Sequence, residues 1–150
     1  MKKNLILVID LLLIAIIILL NNNNNYNYHS FNQSEKEIYL ETKLNNYRKE
    51  KGLKILINDN RLCEMASQRL IDIQSNWSHT RFYILSTKFF TNYKNFKLLG
   101  ENLAKDYENE DELFQSWLDS KTHKNNIEEK NYKYECIKCN KKYCVNIFGK

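Results

Sequence analysis

Two histidines and one glutamate carry the chemical promise of this sequence. His79 follows Ser78, Glu101 sits between Gly100 and Asn102, and His123 lies downstream of Trp117 and Ser120. Two neutral imidazoles and a carboxylate can hold a divalent metal ion such as Zn²⁺ and leave one position for water. The same three groups can instead act as a proton-transferring acid/base cluster. They are far apart in sequence, so only a fold can gather them. The third histidine, His29, falls in an asparagine-rich stretch and reads as a solvated tail residue.

The chain has 150 residues, room for one compact domain and a tail. Its net charge of +5 is dispersed, without the clustered basic run, interleaved with aromatics, that a nucleic-acid arm needs. No nucleic-acid partner is expected. Lys2 and Lys3 precede an apolar run from Leu5 to Leu20, broken only by Asp10. This pattern reads as a secretory signal or signal-anchor over residues 1–20, with the rest of the chain outside the membrane. Residues 21–33 read as a polar low-complexity tether and residues 34–150 as the domain. Any membrane contact is expected through the N-terminal segment alone. Asn32 and Asn76 head N-x-S sequons that matter only if the export route is eukaryotic.

Several elements must position the candidate residues. Ser34 and Glu37 have capping-box form, Leu40, Leu44 and Tyr47 continue at helical spacing, and Gly52 is placed to end that helix. Asp59 can cap a second helix with Leu62, Met65, Ala66, Arg69 and Ile73 along one side. The aromatic stretch from Arg81 to Leu99 has no clean period and reads as a short element followed by a loop. Asn109 and Glu112 can start a helix whose inner face is Leu113, Phe114, Trp117 and Leu118. If that helix runs on, Ser120 and His123 share its end and face the same way. Residues 134–139 and 143–148 bracket Asn140, Lys141 and Lys142 as an antiparallel hairpin.

From Leu44 to Gly149 a series of short phrases resembles the CAP superfamily, also called the SCP or pathogenesis-related-1 domain, in its bacterial-type variant. They are Asn46-Tyr47-Arg48 with Gly52-Leu53, then Asp59-Asn60-Arg61-Leu62 with Ala66, and Ser78-His79. Gly100-Glu101-Asn102-Leu103-Ala104, the Trp117, Ser120, His123 series and Cys144 to Gly149 complete the set. The resemblance implies an α+β fold: a three-layer α-β-α sandwich with a small central antiparallel sheet and an open cleft. It also implies a cleft cluster of two histidines and two acidic residues, which binds a divalent metal in some members. His79 and Glu101 fall on the first histidine and first glutamate of that cluster. Ser120 and Tyr143 stand where plant and animal forms carry the second glutamate and second histidine. His123 matches the bacterial-type histidine.

Three functions are open to such a cleft. His79, Glu101 and His123 can bind Zn²⁺ or another divalent cation weakly. They can serve a peptidase-like hydrolase by acid/base catalysis. Or the domain can be a binding module for a lipid, a sterol or an extracellular protein, with the aromatics from Phe82 to Phe96 as candidate groove lining. The binding role is the expected one. Cys63, Cys136, Cys139 and Cys144 allow three disulfide connectivities in an exported chain. Cys139–Cys144 across the hairpin turn with Cys63–Cys136 from helix to strand is sterically reasonable, and a thiolate zinc knuckle is the alternative.

Overall fold

The computed structural model describes residues 33–150. The expected signal, His29, the Asn32 sequon and all but the last residue of the tether lie outside the described residues. Helix α1 spans Glu35–Glu50, and its capping box forms as expected: Glu37 N donates to Ser34 Oγ at 3.3 Å and Ser34 N to Glu37 Oε2 at 3.0 Å. Gly52 adopts φ +70°, a region that favours glycine, and its N–H closes onto the Lys49 carbonyl. After the two-residue strand β1 (Ile57–Asn58), Asp59 caps α2 (Asn60–Ser75). Helix α3 (Thr80–Asn92) and strand β2 (Leu99–Lys105) follow, then α4 (Glu110–Asp119) capped by Asn109 and α5 (Lys121–Glu128) capped by Ser120. Strands β3 (Tyr134–Cys139) and β4 (Tyr143–Gly149) form the expected hairpin.

The four strands lie in the order β1-β3-β4-β2. The ladders β2–β4 and β3–β4 are antiparallel, whereas β1 adds a parallel pair to the β3 edge. Alternation along each strand sends side chains to two cores, one on each face of the sheet. Helices α1, α4 and α5 pack Leu40, Leu44, Trp117 and Ile127 against Ile137 and Phe148. Helices α2 and α3 pack Leu62, Ala66, Ile73 and Phe89 against Leu103, Cys136, Val145 and Ile147. The result is the α+β, three-layer arrangement expected from the resemblance.

Unpaired strand edges invite association, and both edges here are occupied by side chains. At the β1 edge the Asn45 amide acts as a substitute strand: Leu56 N donates to its Oδ1 at 2.8 Å, and its Nδ2 donates to the Leu56 carbonyl at 3.1 Å. At the β2 edge, Trp117 Nε1 donates to the Leu103 carbonyl at 3.0 Å and Asn126 Nδ2 to the Glu101 carbonyl at 3.1 Å. The cysteines pair as Cys63–Cys136 and Cys139–Cys144. The first bridge ties α2 to the sheet, and the second closes the hairpin.

One expectation is corrected. The aromatic stretch does hold an element followed by a loop, but the element is a full thirteen-residue helix with Phe82, Ser86 and Phe89 buried at helical spacing. Aromatic and β-branched residues have modest helix propensity, and the exposed Tyr83 and Ile84 beside Phe82 blur its period. Phe82, Phe89 and Phe96 belong to the core, and Phe89 also lines an open surface groove with Leu85 and Tyr93.

The sheet also contains a misfit. Glu135 is fully buried, and neither carboxyl oxygen has a hydrogen-bond partner. Burial pushes its pKa well above the ordinary carboxylate range, and the negative charge of Glu41 adds to the rise. The folded state therefore keeps a proton on Glu135 at pH values where the unfolded chain has released it, so stability falls as pH rises above the unfolded value. Glu135→Leu is expected to stabilise the domain by roughly 1–3 kcal/mol at neutral pH. Urea unfolding between pH 4 and pH 8 checks this: the gain should grow with pH, and a gain independent of pH would refute the protonated state.

Candidate functional site

Strand β2 carries Glu101 on the face covered by α2. Because α2 presents Arg69 from its buried side, two opposite charges meet out of water. Arg69 Nε donates to Glu101 Oε2 at 2.5 Å and Nη2 to Oε1 at 3.2 Å, a two-pronged pairing of guanidinium and carboxylate. Nη2 also donates to the Ser78 carbonyl at 2.9 Å, holding in place the turn that precedes His79. Nη1 lies 3.7 Å from Asp72 Oδ2, and Asp72 is approached from outside by Arg81 at 3.5 Å.

His79 occupies the N-cap position of α3 but makes no side-chain cap bond. Its ring turns to Glu101 instead, with Nδ1 2.8 Å from Oε1. A carboxylate held by a guanidinium can only accept, so Nδ1 carries the proton and Nε2 is left toward solvent. The His79 side chain is 49% exposed, while that of Glu101 is 1% exposed. The cluster is thus a buried charge pair that presents one imidazole at the surface.

His123 arrives from another element. The helix begun at Asn109 does not continue: Ser120 ends α4 and caps α5, so Ser120 and His123 share the start of α5 rather than the end of the expected helix. His123 sits in the first turn of α5, with its ring centroid 6.5 Å from that of His79. Burial holds its pKa below the ordinary histidine value, and the nearby His79 lowers it further. His79→Ala is therefore expected to raise the His123 pKa part of the way back. A side-chain NMR titration reads this directly, and an unchanged value would assign the whole shift to burial.

Two asparagines fix α5 beside Glu101. Asn102 Nδ2 donates to the His123 carbonyl at 3.0 Å, and Asn126 Nδ2 donates to Asn102 Oδ1 at 2.8 Å as well as to the Glu101 carbonyl. Gly100 is needed here because a Cβ would stand 2.2 Å from the Tyr132 hydroxyl. All three sequence-selected residues come together, with Glu101 between β2 and α2 and the two imidazoles at its outer side.

The donor set does not fit a three-ligand metal site. Both Glu101 oxygens are engaged by Arg69 and one also by His79, and the free donors left are imidazole nitrogens. Among the described residues no group of three or more His, Cys, Asp or Glu side chains is arranged to hold a metal ion. Among the described residues, Ser78 Oγ accepts from Thr80 N, Ser120 Oγ accepts from His123 N and lies 3.1 Å from Thr122 Oγ1, and neither hydroxyl is hydrogen-bonded to an imidazole nitrogen. Tyr143 packs on Trp77 with ring centroids 5.8 Å apart.

Arg69 is the residue that sequence reasoning passed over. The sequence marks it only as one position on the inner side of α2, yet an arginine among Leu62, Met65, Ala66 and Ile73 must meet a buried acceptor. Asn126 gave no comparable signal.

Three solved structures share this arrangement of helices and sheet. An outer surface protein from Borrelia burgdorferi is 24% identical with a TM-score of 0.71, covering 79% of this chain and 95% of that one. A cysteine-rich secretory protein from Staphylococcus aureus is 24% identical with a TM-score of 0.68, covering 76% of this chain and 38% of that one. An extracellular SCP-domain protein from Bacillus anthracis is 21% identical with a TM-score of 0.65, covering 75% and 39%. This chain thus matches well under half the length of two of these proteins and nearly all of the third. No curated protein matches the sequence. The sequence model of the cysteine-rich secretory protein family matches residues 42–143, across both cores and the Arg69, Glu101 and His79 cluster, and the chain belongs to that CAP family.

Proposed function

We propose that this CAP domain is an extracellular binding module, and that the imidazoles of His79 and His123 receive a polar group of a lipid, sterol or protein ligand. The observation that carries this reading is the engagement of Glu101. With Arg69 on both oxygens, its carboxylate serves to orient His79 and is not a free base. An extracellular setting is supported by the two disulfides, which persist in oxidising compartments, and by the outer-surface and extracellular proteins that share the fold.

Trp77, 40% exposed and two residues from His79, offers a reporter. Titration of the full chain with a fatty acid and with a sterol sulfate should change its fluorescence, and His79→Ala should weaken the response severalfold. Mass spectrometry of solvent extracts identifies any lipid that co-purifies. A fluorescence response unchanged in His79→Ala would reject a role for the imidazoles.

One observation favours a second reading. A buried carboxylate on Nδ1 with Nε2 facing solvent is also how a general-base histidine is oriented. A peptide and ester screen separates the two: hydrolysis abolished by His79→Ala, without accumulation of bound ligand, supports the hydrolase.

A further inference from the structure

On the side of the sheet edge formed by β1, an open groove of about 450 Å3 runs past the segment that joins α1 to α2. Leu56 points into the core, and its backbone is clamped on both sides by Asn45, so the residues flanking it are forced outward. Ile55 and Ile57 are 48% and 59% exposed, an unusual position for two large aliphatic side chains on one rigid segment. Lys54, Lys130, Lys133 and Lys150 line the same groove, and all four are exposed. None of them forms an ion pair with a carboxylate of the described residues. The neighbouring acid, Glu129, accepts from the Asn131 backbone and side chain at Oε1 and feels the charge of Lys130 without forming an ion pair with it, and Lys150 Nζ reaches the Asn131 amide oxygen at 3.4 Å.

We propose that this groove docks an extended acidic segment of a partner protein, with carboxylates on the lysines and aliphatic side chains on Ile55 and Ile57. Four exposed lysines, none of them in an ion pair, around an apolar floor select a ligand that is both anionic and apolar. The clamp by Asn45 leaves the Leu56 backbone no free donor or acceptor, so recognition runs through side chains rather than by adding a strand. A concave groove admits a chain, whereas a flat bilayer would touch only its rim. The chain's own residues 11–34 contain no acidic side chain and cannot fill the role. A second copy is disfavoured because its most acidic stretch, Glu108 to Glu112, leads into helix α4 and is not an extended segment, with Glu110 paired to Lys36 and Asp111 to Lys43.

Fluorescence anisotropy of the full chain with a labelled peptide alternating glutamate and leucine tests the proposal. Binding should weaken at least tenfold in Lys54→Glu/Lys133→Glu, severalfold in Ile57→Ser, and steeply as salt is raised. It should survive His79→Ala, which separates this surface from the imidazole site. Because the substituted residues are exposed, unfolding midpoints should not move; Lys130→Gln/Lys150→Gln supplies a milder second variant. Equal affinity for a peptide alternating glutamate and serine would overturn the apolar half of the proposal and leave a generic polyanion site. Displacement of the peptide by phosphatidylglycerol vesicles, with vesicle binding lost in the same variants, would assign the surface to a membrane and overturn it outright.

Discussion

Replacing Arg69 by methionine is expected to destabilise the domain by roughly 3–5 kcal/mol, the range found when one partner of a buried ion pair is removed. Arg69 is 0% exposed and the Glu101 side chain 1% exposed, so the abandoned carboxylate would have no water to turn to. Three further consequences travel with that loss. The Ser78 carbonyl loses its donor, Asp72 loses one of its two arginine neighbours, and His79 is the partner left to the Glu101 carboxylate among the described residues. Arg69→Met should therefore also loosen the His79 turn. The double variant Arg69→Met/Glu101→Gln removes both charges and should recover a large part of the lost stability. Urea unfolding of the two variants decides the matter, since additive losses would show that the pair does not act as a unit.

A loss of similar size is expected from the disulfide between Cys63 and Cys136. Its half-cystines are 73 residues apart, and closing a loop of that length restricts the unfolded chain by roughly 4 kcal/mol in the chain-entropy account. The Cys139–Cys144 bridge spans only 5 residues, and the same relation gives about half as much. Against a total stability of about 5–15 kcal/mol, losing the first bridge brings the domain near unfolding. Cys63→Ala/Cys136→Ala should accordingly shift the urea midpoint about twice as far as Cys139→Ala/Cys144→Ala. Equal shifts would place the effect in local packing rather than in the unfolded state. Both cysteines of the long bridge are fully buried, so its reduction should be slow until the domain opens.

These two effects explain why the family phrases can be read so easily from the sequence. Most of their residues are structural. Arg48 donates to the carbonyls of Lys54, Ile127 and Glu129 and joins the end of α1 to the end of α5. Trp117 covers the β2 edge, Asn102 holds His123, and Gly100 leaves room for Tyr132. Within the cluster, His79 carries an imidazole to the surface, with His123 beside it and Glu101 buried behind. The phrases therefore report the fold before they report any chemistry.

Sequence alone determined the local elements where a chemical signal marks the start or the stop. The Ser34 capping box, the positive φ of Gly52, the caps at Asp59 and Asn109 and the β3–β4 hairpin all depend on neighbours within a few residues. The α3 helix escaped because its signal is tertiary: Phe82 and Phe89 are helical since α2 and the sheet bury them, not since their propensity demands it. The pairing of Arg69 with Glu101 escaped for the same reason. Whether a carboxylate is a metal ligand, a base or half of an ion pair depends on what another helix places opposite it. His79, Glu101 and His123 were visible as residue types, but their roles were set by Arg69 from α2 and by the break at Ser120. Charge neutralisation acts across space, and only the tertiary structure decided who stands within 3 Å of whom.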